Sequence, residues 1–271
     1  MTLLNHALRA GRTTPSTDAT SMTTVLVAGG GGALGSAVLH ALLAGRRFST
    51  VRVLATRALS TAMQGLEPVV VDDAVDDFGI AASVDTAPLA QTALIVFDRE
   101  RHANGRELAF FRPAPQDLVG LARWLHALGA RALVIVLPHS PANLPDALKA
   151  GLANLDEQAV SALGFEQLVF VRSAQPPSSE RATQWLQRLA DGMLAQMRIM
   201  VASTNQPVRA AKVAQFVAEL ALQLASSAPG TRVASPELVW QASQLRDPAP
   251  LVAAWLAARE LPELNAPRMR L

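Results

Sequence analysis

The run Val25-Leu26-Val27-Ala28 ends on four consecutive glycines, Gly29 to Gly32, followed by Ala33-Leu34-Gly35 and an apolar stretch that reaches Ala44. A continuous β-branched and aliphatic run is how a strand buried on both faces of a parallel sheet reads. Glycines directly after it let the backbone turn sharply and approach a ligand with no Cβ in the way. The helix expected over Ala33 to Ala44 would then point its N-terminal N–H groups at an anion held in the turn. Two dinucleotide spacings fit equally, Gly30-x-Gly32-x-x-Gly35 and Gly29-x-x-Gly32-x-x-Gly35. A Gly-rich connection without a ligand is the alternative. A phosphate-cleaving P-loop is a poorer reading still, because Ser36 stands where its lysine is required.

With 271 residues, half of them hydrophobic and 17% charged, the chain is long enough for one large α/β domain with a well-buried core. It has no cysteine, which removes disulfides, thiolate catalysis and cysteine metal sites. Its pI of 9.9 coexists with a net charge of only +2. Lys149 and Lys212 are its only lysines and it has no tyrosine, so little titrates between neutral pH and the arginine range. The arginines are dispersed, which argues against a nucleic-acid surface. Apolar runs such as Ala93 to Phe97 are strand-length, so no membrane span is expected, and a cytoplasmic location is the expectation. Met1 to Ser21, rich in Thr, Ser and Ala, reads as a disordered tail before a second methionine, Met22. Residues 22–271 read as a single domain.

After the glycine turn the pattern alternates strand and helix, which predicts a doubly wound parallel sheet covered on both faces. Strands are expected at Val51–Ala55, Pro68–Val71, Thr92–Phe97, Ala132–Leu137 and Gln167–Val171. Helices are expected at Pro115–Leu128 and Leu144–Leu163. The remainder, Pro176 to Leu271, reads as a mostly helical extension, with helices at Glu180–Met197, Ala210–Leu224 and Pro248–Arg259. Right-handed crossovers would place the first and fourth strands side by side, so that the glycine turn opens into the ligand crevice.

The candidate cofactor contacts follow from that placement: Gly29, Gly30, Gly32, Ala33, Leu34 and Gly35 around a pyrophosphate, and Phe97 at the end of the fourth strand. Where an NAD-specific fold places an acidic residue after its second strand, this chain has Thr56-Arg57, and a guanidinium suits the extra phosphate of NADP(H) better than the bare ribose of NAD(H). Asp72, after the third strand, is a candidate acceptor for the adenine amino group or a helix N-cap. Asp98, Arg99, Arg101 and His102 follow the fourth strand at the cleft mouth and, with Arg106 and Arg112, could attract an anion.

With these residues the chain resembles the atypical short-chain dehydrogenases, in particular the Tat-interacting-protein-like and NmrA-like branches. Gly29, Gly32 and Gly35, the Thr56-Arg57 pair, Asp72 and the Arg101–Asp117 stretch carry the likeness. So do Gly164-Phe165-Glu166-Gln167-Leu168 leading to Val171-Arg172, and Gln206-Pro207-Val208-Arg209 followed by Val213-Ala214. The resemblance implies a Rossmann fold that binds NADP(H). It also implies a catalytic serine, tyrosine and lysine, and there the chain departs. The fifth strand runs into Leu137-Pro138-His139-Ser140 with no serine at Leu137 or Pro138, and aligning Lys149 with the family's lysine leaves Pro145 in the tyrosine place. A four-residue shift puts Lys149 at the tyrosine position and Ala153 at the lysine position, and neither register restores the pair. His139, Ser140 and Lys149 are the candidates for replacement acid–base groups.

Three functions are therefore carried forward. The first is an NADP(H)-dependent binding or regulatory protein that has lost tyrosine-based catalysis. The second is an NADPH-dependent reductase of a small carbonyl or enone with a different acid, since hydride chemistry belongs to the cofactor. The third is a scaffold that binds a partner and no nucleotide; a small-molecule or protein partner and an oligomer are compatible with all three.

Overall fold

The computed structural model describes residues 24–59, 64–71, 89–98, 109–138, 156–173 and 208–261. These form strand β1 (Thr24–Ala28), helix α1 (Gly32–Ala44), β2 (Thr50–Ala55), β3 (Leu66–Val70) and β4 (Thr92–Val96). A short 3-10 turn (Pro115–Asp117) then leads into α2 (Leu118–Ala127), followed by β5 (Ala132–Pro138), helical residues 156–161 (α3) and β6 (Gln167–Ser173). The chain continues through α4 (Ala210–Leu224), β7 (Gly230–Ala234), α5 (Pro236–Gln244) and α6 (Ala249–Leu256).

The seven strands pair in parallel in the order β3-β2-β1-β4-β5-β6-β7. The order reverses between β1 and β4, with Val27 opposite Leu94 and Ala28 opposite Ile95. That reversal is the topological switch point of a Rossmann-type sheet, and ligands of such sheets bind beyond the carboxyl ends of the strands there.

Alternation along each central strand divides the core into two layers. Val25, Val27, Leu94, Val96, Val134 and Val136 face α1, α4, α5 and α6. Leu26, Ala28, Ile95, Leu133, Ile135 and Phe170 face α2 and Val160 of α3. Both faces of these strands are therefore dry, which explains why they read as unbroken apolar runs. No helix among the described residues is long and apolar enough to cross a membrane.

The expected strands and the helix Ala210–Leu224 appear in the structure. The expected helix over Pro115–Leu128 opens instead as a 3-10 turn, in which the Ala114 N–H donates to the Asp117 carboxylate at 2.8 Å. In the C-terminal extension, read as mostly helical, β7 adds a seventh strand at the edge of the sheet. Gly230-Thr231-Arg232-Val233-Ala234 is short, charged and mostly exposed, as edge strands are, and so carries little of the periodicity that betrays an interior strand. The tail 1–21, the expected helix Glu180–Met197 and most of Leu144–Leu163 lie outside the described residues.

Candidate functional site

Gly29 and Gly32 take φ of +95° and +76°, a backbone region that L side chains rarely adopt. Space is as short as conformation. A Cβ on Gly29 would run into the Val96 carbonyl oxygen, and one on Gly35 into the Gly29 carbonyl oxygen. A Cβ on Gly30 would come within 2.7 Å of Val53 Cγ2 and 2.8 Å of Leu39 Cδ1. These glycines thus let β1, β4 and the first turn of α1 pack backbone against backbone. The result is a helix N-terminus delivered to the carboxyl edge of the sheet at the switch point.

The first turn of α1 is poorly provided for by its own sequence. Its N-cap residue, Gly31, has no side chain, and the turn contains no acidic residue. Asp98, just beyond β4, supplies what is missing: its carboxylate accepts the Leu34 N–H at 2.6 Å. A Cβ on Gly32 would collide with the same carboxylate, so the acid lies directly against the turn. Ser36 turns its hydroxyl back onto the Gly32 carbonyl oxygen.

A second element crosses the same edge. The Thr56 N–H donates to the Ala109 carbonyl oxygen and the Phe111 N–H to the Leu54 carbonyl oxygen, each at 2.9 Å, and Phe110 forms an antiparallel bridge with Ala55. Residues 109–113 therefore run as a strap over the end of β2 toward the glycine turn. There Phe110 Cδ1 is 3.2 Å from where a Gly30 Cβ would stand, and Pro113 Cδ 3.3 Å from the corresponding point on Gly29.

The structure brings the predicted contacts Gly29, Gly30, Gly32, Ala33, Leu34 and Gly35 together in one turn, with Thr56 and exposed Arg57 at the neighbouring end of β2. Phe97 follows β4 but is only 5% exposed, and its side chain packs in the layer under α2. Asp72, His139, Ser140 and Lys149 lie outside the described residues, as do Arg99, Arg101, His102 and Arg106. His126 meets the edge of the Phe165 ring with centroids 4.9 Å apart, a packing role. No group of three potential metal ligands occurs among the described residues. A groove of about 630 Å³ between α1 and α4, lined by Ala37, His40, Ala41, Gln215 and Glu219, lies on the helical layer, away from the glycine turn.

Asp98 was legible only as part of a polar cleft mouth. The signal for its bond was indirect: a helix beginning Gly-Gly-Ala-Leu-Gly, with no side-chain cap of its own, needs an acceptor from elsewhere in the chain.

No protein-family profile and no curated protein matches the chain. Among solved structures, a Bacillus halodurans protein named as an NAD-dependent epimerase/dehydratase is 15% identical and aligns over 82% of this chain and 100% of its own, with a TM-score of 0.47. A short-chain dehydrogenase/reductase superfamily protein from Agrobacterium tumefaciens, solved with bound NAD, is 16% identical over 77% of this chain and 76% of its own, with a TM-score of 0.41. UDP-glucose 4-epimerase from Brucella ovis, in complex with NAD, is 18% identical over 78% and 76%, with a TM-score of 0.37. The assignment of a Rossmann-type α/β fold rests on the chain's own strand order, its all-parallel pairing and the glycine turn at the switch point.

Proposed function

We propose that this chain is an NADP(H)-binding protein of the atypical short-chain dehydrogenase type that acts as a cofactor-dependent binding or regulatory protein. The observation that carries this reading is the position of the glycine turn, which presents the first turn of α1 at the carboxyl edge between β1 and β4. The Ala33 and Leu34 N–H groups would hold a pyrophosphate there, aided by the positive end of the helix dipole. Arg57, exposed after β2, supports the preference for NADP(H) over NAD(H), because a guanidinium can pair with the additional phosphate. A bound nicotinamide would supply hydride chemistry. The chain has no tyrosine to act as the proton donor of the family it resembles, which is why binding and not turnover is the function proposed.

Thermal unfolding in the presence of nucleotides tests this. NADPH at one hundred times its Kd should stabilise the protein by about 2.7 kcal/mol, a rise of several degrees in Tm. Failure of both NADPH and NADP to raise Tm at millimolar concentration would sink the proposal. Arg57→Ala should weaken NADP by about tenfold while leaving NAD nearly unchanged. An equal loss for both nucleotides would remove the argument for the extra phosphate.

The third of these functions, a scaffold that binds no nucleotide, is favoured by one observation: the Leu34 N–H already has an anionic acceptor within the chain.

A further inference from the structure

From the contact between Asp98 and the first turn of α1, we infer that the phosphate position of the glycine turn is self-occupied: the Asp98 carboxylate is an internal anion that an incoming phosphate group must displace. This rests on reading the turn as a phosphate site and specifies how that site is regulated.

The carboxylate lies against the two features that a phosphate would use. It accepts the Leu34 N–H at 2.6 Å, a hydrogen bond to a charged acceptor, and it fills the space above Gly32 that the missing Cβ leaves open. Both features belong to the N-terminal turn of a 13-residue helix whose own sequence provides neither a capping side chain nor a first-turn acid. The helix therefore favours an anion at this point, and Asp98 satisfies it in the absence of ligand. One N–H cannot serve a carboxylate and a phosphate in the same place, and two anions in contact at a partly buried site repel strongly. Binding is thus an exchange of one anion for another, and affinity is reduced by what the Asp98 bond contributes.

Position in the fold makes the contact effective. Asp98 follows β4, which is hydrogen-bonded directly to β1, so a side chain of ordinary reach spans the switch point. Residues 109–113 reinforce the closure on the other side of the turn, with Phe110 against Gly30 and Pro113 against Gly29. The acid and the strap together narrow the crevice in which a dinucleotide would have to lie.

Inorganic pyrophosphate and NADPH, titrated calorimetrically against the full chain and its Asp98→Asn and Asp98→Ala variants, test the inference. Asp98→Asn is isosteric and keeps an acceptor for the Leu34 N–H, so the fold is retained while the charge is lost. Both variants should bind pyrophosphate more tightly than wild type, Asp98→Ala by about tenfold or more, the scale of one hydrogen bond to a charged group. Asp98→Ala should also melt lower than wild type without ligand and regain stability when pyrophosphate is added. Equal affinity in all three proteins, including none in any of them, overturns the inference, as does weaker binding by the variants. If NADPH binds wild type and Asp98→Asn alike, internal competition is wrong and the dinucleotide reading stands. If the variants gain pyrophosphate but no nicotinamide nucleotide, the competition stands and the cofactor reading fails.

Discussion

At the scale of single residues, the glycines have a structural role that does not depend on any ligand. Because a Cβ on Gly35 would overlap the Gly29 carbonyl oxygen, Gly35→Ala forces α1 away from β1 and should cost about 3 kcal/mol in urea unfolding without cofactor. A loss confined to the ligand-bound protein would show that the glycine serves binding and not packing. Thr92 offers the opposite case. It is fully buried at the start of β4, and its hydroxyl has no hydrogen-bond partner among the described residues. Thr92→Val keeps the shape and removes the unpaired group, so unfolding should require about 1 kcal/mol more. Gly35 could be read from spacing alone, since the need for a close helix–strand approach is local. The bond from Leu34 to Asp98 could not, because it joins residues 64 positions apart and depends on β1 and β4 being neighbours.

Among the elements, α4 shows how burial fixes a helix that sequence periodicity already outlines. Ala210–Leu224 was legible with its observed bounds because Val213, Phe216, Val217, Leu220 and Leu224 recur at helical spacing, and each is buried by 99% or more. Phe216 has no solvent exposure at all, and truncating it leaves a cavity between α4 and the sheet. Phe216→Ala should therefore cost about 3–5 kcal/mol, read as a lower urea midpoint with an unchanged slope. A change below about 1 kcal/mol would mean that α4 does not pack as described. The elements that periodicity missed are of another kind. β7 is a five-residue edge strand with only Ala234 buried, and α5 begins at Ser235-Pro236, where a hydroxyl cap accepts the Leu238 N–H at 3.4 Å. Neither offers a long apolar pattern, and β7 becomes a strand because β6 presents an open edge beside it.

For the whole molecule, the strand order implies a gradient of stability across the sheet. β1, β4 and β5 lie in the interior of the sheet with both faces covered, so their amides are released only when the domain opens. β3 and β7 are edges; Val70 is 55% and Val233 45% exposed. Pro68 also removes a backbone donor from β3, a substitution tolerated at an edge. Native-state hydrogen exchange should therefore show residues 92–96 and 132–136 exchanging at the rate of global unfolding, and residues 66–70 and 230–234 exchanging faster through local opening. Protection of residues 230–234 equal to that of 132–136, at concentrations where light scattering reports more than one chain, would show that a second copy covers the β7 edge. Equal protection in a monomer would instead contradict the sheet order itself. The same experiment bears on the switch point, because the Leu34 amide is held by Asp98 and not by a helical carbonyl. Its exchange should quicken in Asp98→Ala while the amides in the middle of α1 stay slow, which would place the effect of that acid at the mouth of the crevice and not in the core.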